Sequence, residues 1–353
     1  MIEVKPIEHF EFNQKPKAHV LIIYTGGTLG MDFNEQGALV PCGFNQILER
    51  VPVIKELQVN ISVISFKEPI DSSNVHIEHW QLMAKLIYEH YENFDGFLIL
   101  HGTDTMAYSA SALSFMLEGV NKPIIFTGAQ LPVASPRSDA TENLITSLEI
   151  AGDKKNGKPI ITEVCIFFNH VLLRGNRAKK VESQHFDAFE SENYPILAEA
   201  GISIDYHWSY LKPFTKDFIQ VHTEMDNNIA ILKLFPGLNE LTVANIVLAD
   251  SVKGIILESY GSGNVPHEKW FLDLLKESIE RGKIILNVSQ CNGGRVMHGK
   301  YETSSELDRI GVLSGHDLTF EAATAKMMFV LAKFKNSKDA KKCLRTPIRG
   351  EMN

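Results

Sequence analysis

Short, almost unbroken apolar runs that end in glycine or threonine turns and alternate with helical stretches are what most constrain this chain. HVLIIY (His19–Tyr24) runs into Gly-Gly, and FLIL (Phe97–Leu100) runs into a turn and then the helical pattern TMAYSASALSFMLEG. IIF (Ile124–Phe126) and VCIFF (Val164–Phe168) open two further units of the same kind. A strand that is apolar on both faces must be covered on both faces, so this rhythm predicts a mainly parallel sheet flanked by helices. From Gly201 to Asn228 the pattern turns polar and irregular, and it resumes at IAILKLF (Ile229–Phe235). The expected fold class is therefore α/β. A larger N-terminal domain is expected over residues 1–200, an interdomain connection over 201–228 and a smaller C-terminal α/β domain over 229–353.

The chain has 353 residues, which suits two domains, and 44% of them are apolar, which suits folded cores rather than disorder. The net charge of −8 argues against a general binder of nucleic acid or of anionic membranes. The stretch from Lys333 to Asn353 is locally basic but nearly free of interleaved aromatics, so it reads as a solvated helix end. No apolar run approaches the ~20 residues of a membrane span. The opening MIEVKPIEHFEFNQKPK mixes charge signs and does not read as a secretory signal. Cys42, Cys165, Cys291 and Cys343 lie far apart without a CxxC pair, so neither a metal nor a disulfide framework is expected. His76, His79 and His90 share one helical neighbourhood and read as surface residues, and no metal is implied.

Active sites of open α/β sheets lie at the carboxyl ends of the strands. There the first strand meets TyrThrGlyGlyThrLeuGly (Tyr24–Gly30), in which Thr25 and Thr28 bracket paired glycines. The turn reads as a phosphate cradle, as a hydroxyl nucleophile beside an oxyanion-binding turn, or as a plain capped turn. The GxGxxG and GxxxxGK[ST] spacings are absent. The next strand meets HisGlyThrAspThr (His101–Thr105), where Thr103 and Asp104 either cap the helix or present a hydroxyl and a carboxylate together. A threonine hydroxyl needs a base to take its proton, and Lys179 and Lys180 are candidates to complete such a set. Asp71, Ser72 and Ser73, in the polar cluster Ile70–Asn74, could offer hydroxyls and a carboxylate to a zwitterionic ligand.

TGGTLG at Thr25 and HGTDTMAYSASALSF at His101 resemble the asparaginase/glutaminase family. So do TGAQLP (Thr127–Pro132), RSDATENL (Arg137–Leu144), FFNHVLLRGNRAKK (Phe167–Lys180), FDAFES (Phe186–Ser191) and SYGSGN (Ser259–Asn264), in family order. The resemblance runs from about Val20 to Glu351 and is nearest to the cytoplasmic, type I branch. It implies an L-asparaginase that hydrolyses L-asparagine to L-aspartate and ammonia without a cofactor. A broader asparaginase–glutaminase is the near alternative, and a non-catalytic amino-acid sensor is the alternative of a different class. It implies that Thr28 is the nucleophile, with Thr103, Asp104 and Lys180 as a supporting hydrogen-bonded set. Asp71, Ser72, Ser73, Thr103 and Asp104 would grip the substrate, joined by Asn264 of a neighbouring copy in a homodimer or homotetramer.

Two departures from the family pattern stand out. The loop after Thr28 reads MDFNEQGALVPCG and lacks the usual tyrosine, so the resemblance assigns that hydroxyl to Tyr301. Relatives activated by asparagine tend to carry a threonine and an arginine where this chain has Cys165 and Glu258. Losing the cation that would pair an effector carboxylate implies weak or no activation. Replacing Tyr301 by Phe tests the first point: turnover should fall well beyond twofold, and a change within twofold, roughly 0.4 kcal/mol of barrier, would remove Tyr301 from the site.

Overall fold

The computed structural model describes residues 2–297 and 302–353. It divides into two compact units, Met1–Thr223 and Glu224–Asn353.

The first unit is built on a nine-stranded sheet. Its strands are β1 (Glu8–Phe10), β2 (Ala18–Gly26), β3 (Val59–Ile70), β4 (Gly96–Leu100), β5 (Ile124–Thr127), β6 (Val164–Phe168), β7 (Val171–Arg174), β8 (Ala198–Ala200) and β9 (Ile204–Tyr206). The order is β1-β3-β2-β4-β5-β6-β7-β8-β9. Pairing is parallel from β3 through β6 and antiparallel at both edges. The parallel strands are buried on both faces, as their apolar runs require. Helix α1 (Ile77–His90), helix α2 (Met106–Met116) and helix α3 (Ala140–Gly152) pack between and over these strands. Helix α2 buries almost all of its residues, many of them Ala or Ser, so its lack of a polar face follows from its place.

The chain leaves β2, returns beside it as β3, and then crosses to the opposite side of β2 as β4. That reversal opens a crevice at the carboxyl ends of β2 and β4, the position where ligands bind in open α/β sheets.

The sheet edge at β3 is covered by the chain's own first residues. β1 pairs with it at Glu8↔Val63 to Phe10↔Ile61, and Lys5 N–H donates to the Ser65 carbonyl. The 12-residue β3 carries little strand signal in the sequence, because SVISF ends in the charged KEP, which breaks its apolar run. The stretch expected as an interdomain connection holds β9, at the far edge of the sheet, and a bridge between Gln220–Val221 and Leu117–Glu118. An edge strand with one wet face shows little apolar signal, and the division between units falls after Thr223.

The second unit carries a parallel four-stranded sheet, β10 (Ile229–Lys233), β11 (Gly254–Ser259), β12 (Ile284–Ser289) and β13 (Leu313–Ser314), in that order. Its core includes Leu232, Val243, Leu257, Phe271, Leu275, Ile285 and Leu307. Helix α4 (Phe320–Lys333) buries Lys326 completely against Glu351, with the Nζ 2.5 Å from a carboxylate oxygen of the same buried character. The Lys326 Nζ also donates to the carbonyls of Leu344 and Thr346, and Glu351 accepts the backbone N–H groups of Ile348 and Arg349. A buried charge left without its partner is far costlier than the pair is stabilising. Lys326→Met should therefore lower unfolding stability by about 3–5 kcal/mol, and Lys326→Met with Glu351→Gln should recover part of that, as read by urea melts.

Candidate active site

The turn after β2 is forced by its neighbours. Gly26 and Gly27 both have positive φ, at 132° and 87°. A Cβ on Gly26 would stand 2.5 Å from the Ile70 backbone, and one on Gly27 would stand 2.6 Å from the Gly102 nitrogen. A Cβ on Gly102 would in turn meet the Ser72 Oγ at 2.5 Å. The carboxyl ends of β2, β3 and β4 thus touch through positions that only glycine fits. Thr25 is buried and donates to the Leu100 carbonyl at 2.9 Å, so its hydroxyl stitches β2 to β4. Thr28 opens a short 3-10 turn, Thr28–Gly30, and is half-buried.

Thr103 and Asp104 follow β4 where the chain enters α2. Lys180 comes from a small hairpin that pairs Lys179–Lys180 with Phe189–Glu190. Its Nζ donates to Thr103 Oγ1 and to Asp104 Oδ1, each at 2.7 Å. Thr103 is buried, whereas the Asp104 side chain is 66% exposed, so one end of the set is held inside and the other faces solvent. Asp71 caps the 72–74 turn, its Oδ1 accepting both the Ser73 N–H and the Ser73 hydroxyl at 2.9 Å. Thr105 donates to the Ser72 carbonyl at 2.7 Å, tying this turn to the one after β4. Thr28, Asp71, Ser72, Ser73, Thr103, Asp104 and Lys180 all belong to the first unit, on turns at the carboxyl ends of adjacent strands or on the hairpin that reaches them.

Several supporting residues were not singled out from the sequence. Gln130, after β5, accepts the Thr103 hydroxyl at 3.2 Å and donates to the His185 carbonyl at 3.0 Å. Asp139 holds the backbone N–H groups of Gln130 and Leu131, and Asn143 braces Asp139 and the Gly128 carbonyl. These residues sit in the TGAQLP and RSDATENL motifs, so the signal lay in the motif while the role needed the geometry. His101 is buried at the start of the β4 turn. Its Nδ1–H donates to the Gly102 carbonyl at 2.7 Å, its Nε2 accepts from Ser109 at 2.9 Å, and Ser109 accepts the Trp80 indole N–H at 2.9 Å. A carbonyl can only accept, so the ring is the neutral Nδ1–H tautomer with both nitrogens engaged. Burial pulls its pKa down to about 4, with the nearby His79 adding slightly to the fall.

The other sequence candidates fall elsewhere. Tyr301 lies outside the described residues. Asn264 belongs to the second unit, where it bridges Tyr260 across a turn with positive-φ Gly261 and Gly263. Cys165 is fully buried in β6 opposite Arg174, beside the buried Arg174–Glu163 ion pair, and burial raises its thiol pKa strongly. Glu258, in the second unit, is buried and pairs with Lys233 at 3.1 Å. His79 Nδ1 accepts the His76 N–H at 3.0 Å at the start of α1, a helix-end role. Among the described residues, no group of three or more His, Cys, Asp or Glu is placed to hold a metal, and no helix is long and apolar enough to cross a membrane.

The threonine turn at the sheet's switch point packs against the turn that carries the Thr103–Lys180–Asp104 set. The profile of the asparaginase N-terminal domain matches residues 19–212, and that of the glutaminase/asparaginase C-terminal domain matches residues 228–344. L-asparaginase 1 of Escherichia coli K12 is 40% identical over 338 residues, 95% of this chain and 98% of that one. A human 60 kDa lysophospholipase is 37% identical over 362 residues, 96% of this chain but 62% of that one. The crystal structure of L-asparaginase I from Vibrio cholerae superposes with a TM-score of 0.86 at 37% identity, covering 95% of this chain and 99% of that one. The chain belongs to the asparaginase family of amide hydrolases.

His101 also gives the fold a pH dependence. Its folded pKa lies below the ordinary 6.5, so below that value the unfolded chain takes up a proton that the folded ring refuses. Its contribution to stability is complete above about pH 6.5 and is lost as pH falls toward 4, by up to about 3 kcal/mol. Denaturant melts between pH 7 and pH 4.5 should show this loss and show less of it in His101→Gln. Equal slopes for both proteins would remove His101 as the source.

Proposed function

We propose that this chain is an L-asparaginase working through an ester on Thr28. The observation that carries the reading is the Lys180 ammonium held 2.7 Å from both Thr103 Oγ1 and Asp104 Oδ1, on the turn packed against the one that carries Thr28. Thr28 Oγ attacks the side-chain amide carbon of asparagine and gives up its proton, the C–N bond breaks, and the nitrogen leaves as ammonia after gaining a proton. The product on the enzyme is a β-aspartyl ester. Water then attacks that ester and gives up a proton, the C–O bond to Thr28 breaks as Thr28 Oγ regains a proton, and aspartate leaves.

Thr103 is the group that orients the attacking hydroxyl or water by accepting its hydrogen bond, held by Lys180 from its other side, while the proton that Thr28 gives up is the one the leaving nitrogen gains. Backbone N–H groups of the glycine-containing turns at Gly27 and Gly102 stabilise the developing oxyanion, because such turns aim several N–H groups at one point. The exposed Asp104 carboxylate and the Asp71–Ser73 turn receive the substrate's α-ammonium and α-carboxylate. Tyr301 supplies a hydroxyl to Thr28, and Asn264 reaches the site from a neighbouring copy in a homodimer or homotetramer. The reading places the protein in the cytoplasm, in keeping with the type I branch. Cys165, inside the sheet, and Glu258, already paired with Lys233, do not offer an effector carboxylate a cation, so little activation by asparagine is proposed.

The test is ammonia release from L-asparagine and L-glutamine over a range of concentrations. Wild type should hydrolyse asparagine on a hyperbolic curve. Thr28→Ala should lose on the order of 10³-fold or more in kcat, and Lys180→Met roughly 10²-fold or more. A Thr28→Ala protein that keeps wild-type turnover would exclude the proposed nucleophile. Asparagine binding without ammonia release from the wild type would favour the sensor.

A further inference from the structure

We propose that Gln130 is a positioning residue that fixes which way the Thr103 hydroxyl points. The hydrogen bonds leave a single arrangement. The His185 carbonyl can only accept, so the Gln130 group facing it at 3.0 Å is the amide nitrogen. The Gln130 group facing Thr103 at 3.2 Å is then the carbonyl oxygen, which can only accept, so the Thr103 hydrogen points at Gln130. Lys180 donates to Thr103 Oγ1 from another side at 2.7 Å. A hydroxyl has one hydrogen and two lone pairs. With the hydrogen on Gln130 and one lone pair on Lys180, the single remaining lone pair is the one that accepts a hydrogen bond from the attacking group.

Gln130 is itself held in place. Both Asp139 carboxylate oxygens accept its backbone N–H, at 3.1 and 3.0 Å, and Asp139 is braced by Asn143 at 3.1 Å. The same amide reaches the His185 carbonyl in the segment between the two hairpin strands, so one side chain ties Thr103 to the loop just beyond Lys180. Without the acceptor, the Thr103 hydroxyl is free to turn its hydrogen toward the substrate. A hydroxyl presented that way donates where the reaction needs it to accept. The cost falls on the chemical step more than on substrate binding, because the Gln130 side chain bonds Thr103 and the His185 carbonyl and not Asp71, Ser73 or Asp104.

This inference rests on the hydrolytic role given to Thr103 above, so the experiment carries wild type and Thr28→Ala alongside. Gln130→Met keeps the length of the side chain and removes both polar groups. Gln130→Glu keeps an acceptor for Thr103 and removes the donor to His185. It is assayed at pH 8, where the new carboxylate is ionised, with Lys180 beyond Thr103 and Asp139 at its own backbone as the charged neighbours. The expected result is a kcat loss of about tenfold or more in Gln130→Met with KM within about threefold, and a kcat within about threefold of wild type in Gln130→Glu. If Gln130→Met does not fold, as judged by circular dichroism and melting, Gln130→Asn withdraws the amide from Thr103 and is read in the same way. An unchanged kcat in the folded Met or Asn variant, a loss confined to KM, or an equal loss in the Glu variant would each overturn the role of Gln130. An inactive wild type would overturn the asparaginase reading instead, which keeps the two failures apart.

Discussion

Everything at the site depends on a contact between backbones. Gly27 and Gly102 meet where a side chain on either would collide, and Gly102 leaves no more room against Ser72. Parallel strands stand roughly 4.8 Å apart, and turns that leave their ends ordinarily diverge. Here they are pressed together, so the threonine turn, the Thr103–Asp104 turn and the Asp71–Ser73 turn form one surface rather than three loops. A constellation held by backbone contact needs little reorganisation when substrate arrives, which is the condition under which hydrogen-bond donors lower a barrier most.

The charged groups divide into two populations with opposite solvation. Lys180 and Asp104 sit at a mouth, with the carboxylate largely in water, so the pair remains free to exchange partners with a ligand. Arg174–Glu163 and Lys326–Glu351 are sealed away from solvent, where exchange is closed to them. Arg174 Nε lies 2.5 Å from Glu163, and its guanidinium also stacks on the Tyr194 ring and donates to the Tyr210 carbonyl. Such pairs contribute little net stability relative to apolar groups, but they fix register, because no shifted arrangement satisfies both charges. In this chain Arg174 ends the strand that leads, a few residues later, to Lys180.

Where the sequence was legible, the reason was periodicity for the strands and family resemblance for the site. The runs at His19, Phe97, Ile124 and Val164 became buried strands because only a doubly covered sheet tolerates them. The residues alone leave Lys179 and Lys180 as equal candidates; the family resemblance points to Lys180, whose Nζ reaches Thr103 and Asp104. β3 is not legible, since it runs into charged residues, and β9, with its wet face, shows only as a strand of unspecified place within residues 201–228. The Asp139–Asn143–Gln130 brace was not legible either. Each of its members is an ordinary polar residue, and only the fold shows that their hydrogen bonds converge behind Thr103.

The order of strands also sets when the site comes into being. β2 lies near the middle of the sheet although it is made early, and the Thr25 hydroxyl finds its carbonyl partner 75 residues later, at Leu100. Thr103 then waits another 77 residues for Lys180. Contacts of such long separation close slowly, because loop entropy is spent before they form. At ~5–20 residues per second of synthesis, the threonine turn spends several seconds outside the ribosome without its flanks. The apolar β2, with one edge bare until β4 is made, is the part of the nascent chain that most needs shielding from other strands.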